Sequence, residues 1–320
     1  MRILVLGAAG QVGFELARSL AGIGEILTAD RVADATLGVT LAIDIGDLHS
    51  LRERIIALAP QVIVNAAAYT AVDQAEDEPI LADRINHQAL IILGAAALEL
   101  GALLVHYSTD YVFAGDGVAP YLEDHPAAPQ SVYGSSKLAG EQALAASGCA
   151  YVLLRTAWVY AARGRNFLLT MLRVAALRDE LTVVDDQLGC PTTARFLADT
   201  TATMVRRWLD TPVDERAALQ GPCHVVSEGQ VSWCGFAREI IALAFDLGLL
   251  PKLTQVRAIG TGDYPAKAKR PAYSVLDTQR LRARFAITPP LWTVGVQQTL
   301  LELAQARQSL LNVGFEVNRC

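Results

Sequence analysis

Short apolar runs alternate with longer amphipathic stretches through the first half of the chain. Residues 2–6, 25–29, 61–65, 103–107 and 151–154 are apolar or nearly so, the pattern of strands covered on both faces. Between them, residues 11–20, 47–58, 79–98 and 132–146 read as helices, with Asp47 as an N-cap and Pro79 in a first turn. Such alternation predicts an α/β fold with a doubly wound parallel sheet. The second half is less regular. Residues 182–185 and 223–227 read as strands and 194–208, 232–247 and 292–305 as helices, with a Pro- and Lys-rich loop at 264–271. The expected division is a dinucleotide-binding domain over 1–160 and a smaller C-terminal α/β substrate lobe over 161–320, some of whose elements return to the first domain.

Composition narrows the function classes. Of 320 residues, 52% are apolar and 19% charged, enough to bury a large core and unlike a disordered chain. A net charge of −6 argues against a broad basic face for nucleic acid. The five cysteines (149, 190, 223, 234 and 320) form no CxxC pair and read as reduced thiols of a cytoplasmic protein. The first strand begins at Arg2, leaving no room for a signal peptide, and the apolar stretch 89–105 is broken by Glu99 and Gly101, so no membrane partner is expected.

The first strand runs into Gly7-Ala8-Ala9-Gly10-Gln11-Val12-Gly13. Glycines there allow a tight turn and close approach of backbone to a pyrophosphate, with the next helix directing N–H groups at the anion. A plain turn is the bland alternative. Asp30 ends the second strand, where a carboxylate would accept a ribose hydroxyl's hydrogen bond; otherwise it is a loop or cap aspartate. Arg31 beside it could neutralise a 2′-phosphate, so NADH and NADPH both remain open.

Tyr133 and Lys137 stand four apart on a predicted helix and so share a face. An ammonium there would lower the phenol's pKa towards the working range; a surface pair is the alternative. Thr109 follows an apolar strand, placing a hydroxyl at a sheet carboxyl end or in a turn.

Together with NAAAYTAVD (65–73), STDYVF (108–113), YGSSKLAGE (133–141), RTAWVY (155–160), NF (166–167), DDQLGCPT (185–192) and KRPAYSVLD (269–277), the glycine loop resembles the extended short-chain dehydrogenase/reductase superfamily. Within it, the order of motifs resembles the dTDP-4-dehydrorhamnose reductase family. The resemblance implies a Rossmann-type sheet and reduction, by NADPH or NADH, of the 4-keto group of dTDP-4-dehydro-β-L-rhamnose. It makes Tyr133 the proton donor, Lys137 its partner and a ribose contact, and Thr109 a donor to the substrate carbonyl. Gly7, Gly10, Gln11, Val12 and Gly13 would meet the pyrophosphate and Asp30 the adenosine ribose. Asp44 and Ile45 would face the adenine, and Ala68, Tyr69 and Thr70 the far side of the cofactor. Thr109, Asp110 and Trp158 would touch the sugar nucleotide, although Trp158 could be core packing and Asp44 a helix cap. The resemblance also implies a dTDP-sugar substrate and a monomer or homodimer. Some members hold Mg²⁺ through interface glutamates; Glu15 and Glu302 fit two such positions, but Arg195 occupies a third, so no metal is expected. Rival readings are a dehydratase or epimerase on the same fold, or a non-catalytic regulator like the regulatory subunit of methionine adenosyltransferase. Tyr111 after Asp110 removes the second acid a dehydratase would need.

Overall fold

The computed structural model describes residues 1–317. Seven parallel strands form the central sheet in the spatial order Gly221–His224, Ala150–Thr156, Leu103–Thr109, Val62–Asn65, Arg2–Leu6, Glu25–Asp30 and Leu41–Ala42. The reversal of order between Val62–Asn65 and Arg2–Leu6 opens a crevice at the carboxyl ends of the strands, where such sheets take ligands.

The alternation of side chains explains why the strand sequences are apolar throughout. Ile3, Val5, Val62, Val64 and Val105 point into one layer with Leu16, Leu197 and Val205, while Leu4, Leu6, Ile63 and Leu104 point into the other with Ile55, Leu93 and Leu144. A third core, containing Tyr160, Leu168, Phe236, Ile240 and Val296, belongs to the second half of the chain. That half is not a separate bead on the first. Strand Gly221–His224 extends the main sheet beside Ala150–Thr156, and helix Ala194–Asp210 packs on helix Gln11–Ser19.

Three sequence expectations need correction. The helix placed at 47–58 runs Leu51–Leu58, and Asp47 is not its cap. The Asp47 carboxylate instead accepts the Ser50 hydroxyl at 2.6 Å in the preceding turn. The stretch 79–98 does start with Pro79 in a first turn, but it is not one α-helix. A π-helical turn, Arg84–Gln88, separates Pro79–Asp83 from Ala89–Leu100. In the packing, the turn carries the Asn86 carbonyl to within 2.0 Å of where a Cβ on Gly140 would lie. The last helix is longer than expected, Trp292–Val317. Cys149, Cys190, Cys223 and Cys234 are free and buried, and Cys320 lies outside the described residues. Among the described residues no helix is long and apolar enough to cross a membrane.

Candidate active site

The glycine loop is shaped by close contacts. Gly7 has φ +77°, and a Cβ there would stand 2.6 Å from the Ala67 nitrogen. A Cβ on Gly13 would stand 2.1 Å from the Gly7 carbonyl oxygen, so strand, turn and helix pack together only with glycine at both positions. Gly10 is exposed and has no side-chain cap to offer, and the first turn of helix Gln11–Ser19 carries no acid. The first amides of that helix, from Gln11, Val12 and Gly13, therefore have no intrahelical acceptor and no acid in their own turn. A dinucleotide's pyrophosphate fits such a cradle.

Asp30 lies against this loop: its Oδ2 accepts the Ala9 N–H at 3.0 Å and its Oδ1 the Arg31 N–H at 2.8 Å. Asp44 accepts the Gly46 N–H at 2.8 Å in a turn, with Ile45 buried beside it. Ala68, Tyr69 and Thr70 follow strand Val62–Asn65. Asn86 holds them, its Oδ1 accepting the Tyr69 N–H at 2.9 Å and its Nδ2 donating to the Tyr69 carbonyl at 3.0 Å and to Ser136 Oγ at 3.0 Å.

Thr109 ends strand Leu103–Thr109, and Tyr133 is the second residue of helix Val132–Ala146. Ser131 caps that helix by accepting the Gly134 N–H at 3.1 Å. Tyr133 is buried, its ring edge-on to Tyr111 at 5.5 Å between centroids. Burial pushes its phenol up to about 12; the Thr109 hydroxyl beside it opposes this, and the Asp110 charge adds to it. Lys137, one turn on, is 2% exposed, and its Nζ donates to the Tyr107 carbonyl at 2.6 Å and lies 3.0 Å from His106 Nε2. Burial brings Lys137 down to about 8, opposed by Glu141. The expected ammonium-driven drop in the tyrosine pKa is therefore absent from this ligand-free arrangement, because burial acts on both groups and the lysine faces His106 and a carbonyl.

Asp110 is buried. Its Oδ1 accepts the Thr109 hydroxyl at 2.9 Å while Oδ2 has no partner, and burial pushes the carboxyl up to about 6. Trp158 adopts φ +49° and stacks on Trp233 with centroids 3.4 Å apart and planes 5° from parallel. A Cβ on Gly189 would reach within 2.4 Å of its indole. Trp158 is half-buried, so one tryptophan both packs the second core and leaves part of its surface open. Trp233 gave no signal in the sequence beyond being aromatic.

The loop around 264–271 ties down the site from the far side. Arg270 Nη2 donates to Asp73 Oδ2 at 2.8 Å, the Ala268 N–H to Asp73 Oδ1 at 3.1 Å, and the Tyr273 N–H to the Gly115 carbonyl at 2.9 Å. Away from this crevice, Arg195 lies between two glutamates, 3.6 Å from Glu15 and 3.2 Å from Glu302. Among the described residues no group of three or more His, Cys, Asp or Glu side chains gathers as a metal site.

The match to known proteins runs through all of these elements. Residues 1–305 fit the family model described as the RmlD substrate binding domain. The dTDP-4-dehydrorhamnose reductase of Burkholderia thailandensis is 46% identical over 92% of this chain and 97% of its own. The enzyme of the same name from Escherichia coli K12 is 42% identical over 95% of this chain and 98% of its own. This chain belongs to the dTDP-4-dehydrorhamnose reductase family. The crystal structure of the Bacillus anthracis dTDP-4-dehydrorhamnose reductase in complex with NADP superposes with a TM-score of 0.82 at 33% identity, covering 94% of this chain and 99% of that one. The reductase-family match spans the glycine loop, the Thr109–Tyr133–Lys137 group and the 264–271 loop alike, so no part of the crevice lies outside it.

Proposed function

We infer that this protein reduces the 4-keto group of dTDP-4-dehydro-β-L-rhamnose to give dTDP-β-L-rhamnose, using NADPH or NADH. The observation that carries the reading is the convergence of a glycine cradle, whose helix has no acid in its first turn, with Thr109, Tyr133 and Lys137 at the carboxyl ends of one sheet, in a chain of this family. The cradle residues Gly7, Gly10, Gln11, Val12 and Gly13 would hold the pyrophosphate, Asp30 the adenosine ribose, Asp44 and Ile45 the adenine, and Ala68, Tyr69 and Thr70 the other face of the cofactor. A bound reduced nicotinamide supplies the hydride for C4.

The chain's own residues do the rest. Thr109 donates a hydrogen bond to the carbonyl oxygen, which polarises it. Tyr133 gives that oxygen its phenolic proton as negative charge develops there, so the product is an alcohol and the tyrosine is left as phenolate. Lys137 then becomes a favourable neighbour for the phenolate until solvent returns the proton. Asp110 and Trp158 line the sugar side, and residues 161–320 supply most of that lobe. The reading places the enzyme in the cytoplasm, as a monomer or homodimer, with Arg195 standing between Glu15 and Glu302 in place of an ion.

Tyr111 separates this reading from dehydration. It stands where a second acid would be needed, and burial raises its phenol further from any useful range. The deciding assay offers the enzyme a panel of dTDP-4-keto sugars with NADH or NADPH and follows nicotinamide oxidation. Turnover of the 4-dehydrorhamnose substrate is expected; dinucleotide binding without turnover of any keto sugar would favour a regulator.

A further inference from the structure

The helix of Tyr133 carries a third inward-facing ionisable side chain that has no part in the chemistry assigned so far. Tyr133, Lys137 and Glu141 stand at intervals of four on helix Val132–Ala146, so they share one face, and all three are buried. Glu141 is 5% exposed. Its Oε1 and Oε2 accept Arg155 Nε at 3.0 and 3.2 Å, and Oε2 also accepts Arg155 Nη2 at 2.6 Å. Arg155 lies on strand Ala150–Thr156, in register with Ser108 of strand Leu103–Thr109. It is fixed in turn, for its Nη1 donates to the Glu123 carbonyl at 2.9 Å and its guanidinium lies 5.1 Å from the centre of the Phe113 ring.

Lys137, by contrast, has only uncharged partners. Its Nζ donates to the Tyr107 carbonyl at 2.6 Å and lies 3.0 Å from His106 Nε2. Burial, and then the lysine's own charge, hold His106 well below its ordinary value, so the ring is neutral. A buried ammonium among neutral partners tends to lose its proton. One turn along the same face, Glu141 offers a carboxylate that favours the charged lysine. The forked pairing with Arg155 fixes where that carboxylate sits. A buried ion pair adds little net stability by itself, but one whose acid stands a turn from Lys137 also acts on the lysine.

We propose that Glu141, anchored by Arg155, is a positioning residue for the reduction: its carboxylate supplies the counter-charge that keeps the buried Lys137 an ammonium, ready for the Tyr133 phenolate. This rests on the reductive reading of the site. Once Tyr133 has given its proton to the carbonyl oxygen, an ammonium stabilises the phenolate left behind and an amine does not.

Other charges on the elements packed against Lys137 are exposed or engaged elsewhere. Beyond strand Leu103–Thr109, Asp110 accepts the Thr109 hydroxyl at 2.9 Å, and on the strand itself the Tyr107 hydroxyl meets Thr201 at 2.6 Å. Strand Val62–Asn65 brings only the uncharged Asn65. Across the flank of the helix, Asp83 pairs with His87 at 2.8 Å, Arg84 is exposed, and Glu78 accepts the Tyr69 hydroxyl at 2.8 Å. Asp73 is held by Arg270, Glu76 accepts the Val132 N–H at 2.9 Å, and the exposed Glu99 pairs with Arg52.

Nuclear magnetic resonance of the ligand-free, lysine-labelled protein tests the proposal, because the chain has only four lysines (137, 252, 267 and 269). The Lys137 resonance is assigned by its loss in Lys137→Met, and its wild-type midpoint is expected at about 8. Glu141→Gln removes the charge but leaves Arg155 buried and unpaired, so it is studied beside the double variant Glu141→Met with Arg155→Met, which leaves no unpaired charge. In both, the Lys137 midpoint should fall by about one unit. The basic limb of kcat/KM against pH should move down with it. A tether without electrostatic effect predicts slower turnover at every pH and an unmoved limb. A Lys137 midpoint in the double variant equal to or above the wild-type value overturns the proposal. So does a midpoint that falls while the limb stays, since the charge on Lys137 would then not serve turnover. If Glu141→Gln does not fold, the double variant decides. The lysine titration uses no substrate, so a failed keto-sugar assay would count against the reductase reading and leave the titration to judge Glu141.

Discussion

Asn166 donates its Nδ2–H to Gln11 Oε1 at 2.7 Å, joining two residues 155 positions apart. The bond carries the loop that leads into helix Phe167–Ala175 onto the first turn of helix Gln11–Ser19. Asn166 also accepts the Leu169 N–H at 2.9 Å as the cap of its own helix, and Gln11 Nε2 reaches the Arg165 carbonyl at 3.4 Å. The first turn after the glycine loop is thus set partly from the second half of the chain.

Asn166→Ser should retain the helix cap and lose the reach to Gln11. A lost hydrogen bond of about 0.5–1.5 kcal/mol predicts dinucleotide affinity weaker by roughly 2- to 10-fold with little change in kcat. Fluorescence titration with NADPH, alongside steady-state rates, checks both halves of this expectation.

Asp30 sets a second test. Because its Oδ2 also braces the Ala9 N–H, Asp30→Ala would loosen the loop as well as remove charge. Asp30→Asn keeps an acceptor and isolates the charge. A unit charge about 4 Å from a phosphate in high dielectric is worth about 1 kcal/mol, so the ratio of kcat/KM for NADPH over NADH should rise by about fivefold. An unchanged ratio would remove Asp30 from the ribose site.

Tyr133→Phe deletes only the hydroxyl of a buried ring. Its kcat should fall by roughly 10²–10⁴-fold, the usual worth of a positioned acid. Dinucleotide binding, assigned in the proposed reading to the glycine loop and Asp30, should persist. Near-normal turnover would refute the mechanism as written.

Asp110 predicts a pH-dependent stability term. With its folded pKa raised to about 6 from an unfolded value near 3.8, the folded state holds the extra proton between these values. The carboxyl therefore costs the fold nothing below about pH 3.8, and the cost grows as pH rises to about 6 and stays above it. The unfolding free energy of Asp110→Asn minus that of the wild type should grow by on the order of 1–3 kcal/mol between pH 4 and pH 7. A pH-independent difference in denaturant titrations would show that Asp110 is not held in its neutral form.

Much of this site could be read from the chain because its chemistry is local in sequence. The glycine loop spans Gly7 to Gly13, and Tyr133 and Lys137 share one helical turn, so spacing alone puts each group together. The strands were legible because Ile3–Leu6 and Val62–Val64 are buried on both faces and carry no polar interruption. What stayed hidden depends on contacts across long separations. Trp158 meets Trp233, Arg270 meets Asp73, and His106 meets Lys137 only after the sheet has formed, and no period marks such pairs. The π-helical turn is hidden for a different reason: residues 84–88 carry no proline or glycine to mark it, and its close contact is with a distant neighbour, Gly140. The lowering of the Tyr133 phenol that the Lys137 spacing suggests does not appear, because burial, which spacing does not reveal, dominates at both groups.

That neighbour has a broader effect. The contact between the Asn86 carbonyl and Gly140 is one of backbone with backbone, while Asn86's side chain grips the Tyr69 segment and Ser136. It acts as a fulcrum for the helix that carries Tyr133. Side chains around it can drift in volume without tilting the helix, since the reference point has no side chain to change. A methyl group at position 140, by contrast, would push the helix of Tyr133 and the Tyr69 segment apart together, and a change felt by one would be felt by both.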